Sequence, residues 1–169
     1  MRVRRSDTLF LLPPATVLML SLLLSACGSA PSRPSSSGSV TQANDVLFRA
    51  IGLVGTPYRY GGNTPEGGFD CSGLVAYVFN VVASPAARRL PRSTAQWAAA
   101  SVPIDDAALQ RGDLVFFNTT GAAFSHMGIY VGQSQFVHAP SSGGTVRKDS
   151  VDSRYFGARY MGARRVFAA

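Results

Sequence analysis

Residues 111–140 read RGDLVFFNTTGAAFSHMGIYVGQSQFVHAP, and this stretch decides the fold. Leu114–Phe117, Met127–Val131 and Gln135–His138 are short runs rich in β-branched and aromatic residues, separated by Gly, Ser and Asn, which predicts strands. Gly132-Gln133-Ser134 reads as the turn of a hairpin, and Val146–Lys148 and Gly162–Phe167 continue the series of strands. Upstream of Gly112 the period is helical. Val46, Leu47, Ala50, Ile51 and Val54 share one helical face, with Asn44 or Thr41 as caps and Gly55-Thr56-Pro57 as the stop. A second helix follows Asp70 through Leu74, Val75, Val78 and Phe79, and a shorter one starts after Leu90-Pro91 at Ser93–Trp97. Helices first and meandering strands later predict an α+β domain with an antiparallel sheet.

The chain has 169 residues, 46% of them hydrophobic and 15% charged, which fits one packed domain and excludes a mainly disordered chain. Two cysteines, Cys27 and Cys71, cannot build a disulfide scaffold or a four-cysteine zinc site, and no Cys-x-x-Cys is present. The net charge of +7 is partly local. Three of the sixteen basic residues (Arg2, Arg4, Arg5) and one of the nine acidic ones (Asp7) fall in residues 1–26, leaving thirteen against eight. The remaining arginines are scattered, apart from the pairs Arg88-Arg89 and Arg164-Arg165, with no aromatic-interleaved basic stripe, so no nucleic-acid partner is expected.

Those first residues read as an export signal: basic residues, an apolar run from Thr8 to Leu24 broken by Pro13-Pro14, then Leu24-Ser25-Ala26-Cys27. The last four resemble a bacterial lipobox, which implies cleavage before Cys27 and acylation of its thiol and amino terminus. A Cys27–Cys71 disulfide is then excluded. Gly28–Val40 (GSAPSRPSSSGSV) holds six Ser, two Gly and two Pro and reads as a flexible tether with a span of roughly 20 Å. The expected organisation is a signal peptide over 1–26, lipidated Cys27 and tether over 27–42, and a folded domain over 43–169.

Cys71 follows an acidic cap at the start of the second helix, where unpaired amides and the helix dipole favour a thiolate. Gly61, Gly62, Gly67 and Gly68 leave that helix start uncovered and let another chain approach the sulfur. A nucleophilic thiol needs a base, and the chain holds two histidines, His126 and His138. With the hairpin centred at residue 132 or 133 they are cross-strand or diagonal neighbours on one face, so that His138 can fix the tautomer of a general base at His126. Taken alone, each of the three reads first as a structural residue.

In order and spacing, TPYRYGG, FDCSGLV, LPRST, RGDLVFF, SHMGIYVG and FVHAPSSGG resemble the NlpC family of bacterial cell-wall endopeptidases, relatives of papain, over about residues 43–166. The resemblance implies a papain-like α+β fold in which N-terminal helices pack on a central antiparallel sheet. It implies Cys71 as nucleophile, His126 as base and His138 as third polar residue. Tyr58 is then an oxyanion donor beside the Cys71 N–H, and Asp70 and Ser72 contact the ends of the substrate peptide, Asp70 reading equally as a helix cap. The implied substrate is a peptidoglycan stem or cross-bridge, cleaved by a monomer without metal or other cofactor. The loop from Asn63 to Phe69 looks about one residue longer than in some relatives. Gly28 after the lipidated cysteine implies the outer membrane in a Gram-negative host. Three rivals stay open at this point: a catalytically silent wall-binding lipoprotein, a zinc site made of Cys71, His126 and His138, and a cysteine amidase or acyltransferase.

Overall fold

The computed structural model describes residues 37–82, 90–142 and 144–166. The expected signal peptide, Cys27 and most of the tether lie outside the described residues. Helix α1 spans Ser37–Gly52, α2 Cys71–Val82 and α3 Thr94–Ala100, with the two-residue strands β1 (Asn63–Thr64) and β2 (Gly68–Phe69) between the first two helices. Then come β3 (Val102–Ile104), β4 (Leu114–Phe117), β5 (His126–Gly132), β6 (Gln135–His138), β7 (Arg147–Ser150), the short helix α4 (Arg154–Gly157) and β8 (Tyr160–Arg165). The sheet runs β3-β8-β4-β5-β6-β7, every neighbour antiparallel. The α+β expectation is met.

Side-chain alternation explains why the central strands carry apolar residues throughout. Leu114 and Phe116 of β4, Met127 and Ile129 of β5 and Val137 of β6 face Val46 and Ala50 of α1 and Leu74, Val75, Val78 and Phe79 of α2. Trp97 of α3 completes that core, its ring 5.5 Å from Phe79. The intervening positions, Val115, Phe117 and Phe136, point to the other face, where Phe156 of α4, Val151 and Ala163 cover them. All four residues of β4 are therefore buried. Each large apolar side chain so enclosed stabilises the fold by about 1.5–3 kcal/mol.

Three sequence expectations need correction. Helix α1 starts at Ser37 and takes in the end of the expected tether, so that Thr41 and Asn44 lie within it and not at its cap. Once the turn around Val46–Ala50 is held by the core, extension toward the N-terminus adds backbone hydrogen bonds at little cost, even through serine. The strands expected at Val146–Lys148 and Gly162–Phe167 are shifted to Arg147–Ser150 and Tyr160–Arg165. The loop from Asn63 to Phe69 is a small hairpin, Asn63 paired with Phe69 and Thr64 with Gly68.

A partly buried ion pair joins β8 to the approach to β4. Asp113, 3% exposed, accepts from Arg165 Nε at 2.8 Å and Nη2 at 2.7 Å and from the backbone N–H of Gln110 at 2.7 Å. Removing the cation strands a buried carboxylate. Arg165→Met is expected to destabilise the domain by about 3 kcal/mol, read as a lowered urea midpoint with an unchanged slope; a midpoint equal to that of the parent would contradict this role.

Candidate active site

The start of α2 is built by two chain segments. Pro57–Arg59 runs parallel beside Phe69: the Phe69 N–H donates to Pro57 O and the Arg59 N–H to Phe69 O, each at 3.0 Å. This delivers Tyr58 to the helix start, where burial raises its pKa first and the neighbouring Cys71 and Asp70 raise it further. Asp70 then caps α2, its Oδ1 accepting from the Gly73 N–H at 2.6 Å. Its Oδ2 accepts from the Gly61 N–H at 3.0 Å. Arg92, just before α3, closes the arrangement by donating through Nη1 to Asp70 Oδ1 at 3.3 Å and through Nη2 to Gly61 O at 2.8 Å. The Ser72 hydroxyl is buried 2.9 Å from both Asp70 Oδ1 and Arg92 O.

Asp70 and Ser72, expected to meet substrate, also make these internal bonds, which hold the helix start together. The glycines also work differently from the expectation. A side chain on Gly73 would strike the carbonyl of Gly62, and one on Gly62 the carbonyl of Gly68. Gly62 and Gly73 bring the protein's own loop onto the helix, whereas Gly61 faces open space.

Cys71 is a free thiol, half-buried at the first position of α2. The backbone N–H groups of Ser72 and Met127 favour its anion, but burial first and the Asp70 carboxylate second outweigh them, pushing the thiol up to about 11. The expected lowering by the helix start is overridden. Because the Met127 amide addresses the sulfur, the first residues of β5 lie against it.

His126 opens β5 and His138 ends β6. Ile129 pairs with Val137 and Tyr130 with Phe136 across a tight turn, where Gln133 and Ser134 both take φ of 54°. In this register the histidines are diagonal neighbours on one face, as the hairpin spacing predicts. His126 Nε2 lies 2.8 Å from His138 Nδ1, the rings nearly perpendicular at 83°. Gly128, between them, leaves the room: a Cβ there would stand 2.6 Å from the Phe136 ring and 3.1 Å from His138 Cβ.

His138 Nε2 is in turn 2.9 Å from Asp149 Oδ2, and Arg147 Nε donates to the same oxygen at 3.0 Å. An ionised carboxylate only accepts, so the His138 proton sits on Nε2. Its Nδ1 must then accept from His126 Nε2–H, which leaves His126 Nδ1 as an unprotonated base. Burial raises the Asp149 carboxyl, but bonds from His138 and Arg147 overcome this and hold it below its usual range. Burial, seconded by His138, drives His126 down to about 3, and burial against the pull of Asp149 brings His138 to about 4. Phe156 walls the pair off from water, 6.1 Å from His126 and stacked, 5.2 Å from His138 and edge-on. The resting arrangement is a neutral thiol with neutral imidazoles.

Sequence reasoning passed over Asp149, Arg147 and Phe156, and assigned no role to Arg92 within its LPRST motif. Positions 147 and 149 share a strand face, and β7 pairs with β6 so that Arg147 meets His138 and Asp149 meets Phe136, a register that the residue order alone does not give. Among the described residues no cluster of three or more His, Cys, Asp or Glu could hold a metal ion.

Comparison with known proteins places the chain in a family. The model of the NlpC/P60 family matches residues 55–165. The chain is 40% identical over 124 residues to murein DD-endopeptidase MepH of Escherichia coli, covering 72% of this chain and 45% of that protein. It is 38% identical over 154 residues to the probable endopeptidase NlpC of the same organism, covering 89% and 97%. The chain thus spans less than half the length of MepH and almost all of NlpC. Among solved structures, the peptidoglycan hydrolase RipB of Mycobacterium tuberculosis superposes with a TM-score of 0.65 at 28% identity, over 82% of this chain and 71% of that one.

With the thiol raised to about 11, alkylation of Cys71 by iodoacetamide should climb about tenfold per pH unit between pH 7 and 10. Peptide mass spectrometry resolves it from Cys27. A plateau reached below pH 8 would show instead that the helix start governs the sulfur.

Proposed function

Because the chain belongs to the NlpC/P60 family, we propose that it is a cysteine endopeptidase that hydrolyses peptide bonds of peptidoglycan stems or cross-bridges. The observation that carries this reading is the ordered chain of acceptors and donors from Asp149 through His138 to His126, which ends in a free base at Nδ1. Cys71 is the nucleophile. Its proton passes to His126 Nδ1 as the sulfur attacks the carbonyl, so the ion pair forms only during reaction. The Cys71 N–H and the Tyr58 hydroxyl, kept protonated by its surroundings, meet the developing oxyanion. The imidazolium then protonates the leaving amine, and water, activated by the same imidazole, releases the acyl group from sulfur. His138 and Asp149 act through His126 as positioning residues, and Arg92, Asp70 and Ser72 hold the helix start that carries the nucleophile.

Mass spectrometry of defined muropeptides tests this directly. The native chain should cleave stems or cross-linked dimers, and Cys71→Ser should leave them intact; no cleavage by the native chain overturns the reading. Asp149→Asn removes the obligate acceptor and lets the tautomers scramble, so kcat should fall about 100-fold with KM little changed. For the same reason the acid limb of kcat/KM should lie below pH 5, since burial keeps the imidazole unprotonated far beneath its ordinary range.

We further propose that Cys27 carries lipid and that residues 28–36 tether the domain at the membrane, facing the wall as a monomer, in the outer membrane where the host has one. Support comes from Leu24-Ser25-Ala26-Cys27 and from Gly28 behind it. Cys27→Ser should move the chain from the membrane to the soluble fraction; equal membrane retention would refute lipid attachment.

A further inference from the structure

A cavity of about 390 Å³ opens beside the histidines, and its lining includes His126, Ser141, Ser142, Arg147, Asp149 and Tyr155. In the mechanism above, His126 delivers a proton to the leaving amine, and because His126 borders this cavity a departing fragment can extend into it. Two charged groups line it with spare bonding capacity. Arg147 uses Nε for Asp149, and among the described residues neither Nη1 nor Nη2 has a partner. Asp149 takes both its bonds on Oδ2, which leaves Oδ1 unoccupied on the same terms. Both side chains are partly exposed, 45% for Arg147 and 28% for Asp149.

The pair therefore offers a forked cation and a carboxylate oxygen side by side. A lone carboxylate on the ligand would be repelled by Asp149, and a lone ammonium by Arg147. A group carrying both charges on one carbon satisfies both: its carboxylate is held by the two Nη donors and its ammonium by Oδ1. We propose that Arg147 and Asp149 form a specificity subsite for a free α-amino-acid end on the leaving fragment, at the tip of the side chain of the residue whose α-amine is released. This rests on the endopeptidase reading. It adds a direction: substrates whose far amine is free are preferred over those in which it is acylated by a cross-link, because acylation removes the ammonium that Asp149 receives.

Three matched peptides test it, alike except that the leaving residue is 2,6-diaminopimelate, lysine (no distal carboxylate) or 2-aminopimelate (no distal ammonium). With the native full chain, kcat/KM for the first should exceed each of the others by at least about tenfold. Arg147→Met should bring the ratio of diaminopimelate to lysine peptide to within about threefold. The ratio is the readout because any disturbance of Asp149 alignment affects both peptides alike. A ratio unchanged by Arg147→Met, or no preference in the native chain, overturns the subsite while leaving the endopeptidase reading intact. If the native chain cleaves none of the peptides, the endopeptidase reading fails, and calorimetry on Cys71→Ala decides the subsite. Tighter binding of the diaminopimelate peptide that disappears with added Arg147→Met supports it, and equal binding of all three overturns it.

Discussion

The register of one hairpin governs this molecule. Two residues, Gln133 and Ser134, turn the chain with positive φ, and that turn aligns Ile129 with Val137. Because side chains alternate, a slip of one residue would send His138 into the helix-facing core and Val137 toward Phe156. Core packing and chemistry therefore enforce the same alignment. The apolar positions of β5 and β6 cannot be buried correctly unless the two imidazoles meet.

The electrostatics of the two halves of the site are opposed. At the helix start, Asp70 stabilises the first turn through the Gly73 N–H, yet its charge works against a thiolate one residue away. At the sheet, Asp149 orients the histidines but is too weak to keep either protonated against burial. Both effects favour neutrality at rest. In the proposed reaction, charge separation is thus confined to the moment of attack, when the oxyanion and the imidazolium form together against Phe156.

Much of this was legible in residue order, and what was not has a common cause. Cys71, His126 and His138 are few in number and sit at pattern boundaries, a helix start and the two flanks of a tight turn, so local periodicity locates them. Asp149 and Arg147 lie on a strand that reaches β6 only after a loop, and nothing local in KDS or VRK marks a partner for a histidine. Phe156 belongs to a four-residue helix, too short for any periodic signal. Arg92 acts over 22 and 31 residues of sequence, on Asp70 and Gly61. The early start of α1 escaped because serine and glycine composition reports propensity, whereas tertiary packing further along the helix decided its length.

The small β1–β2 hairpin carries a final consequence. Its inner end is locked, since Gly62 lies flush against Gly73 with no room for a single methyl group, while its tip, Pro65-Glu66-Gly67, is held by little more than the Gly67 N–H on Thr64 Oγ1. The root is rigid and the tip is tied by one side-chain bond. Loops of other length or chemistry can therefore be grafted at 65–67 without disturbing the packing of Gly62 on Gly73, on which the placement of the helix start rests.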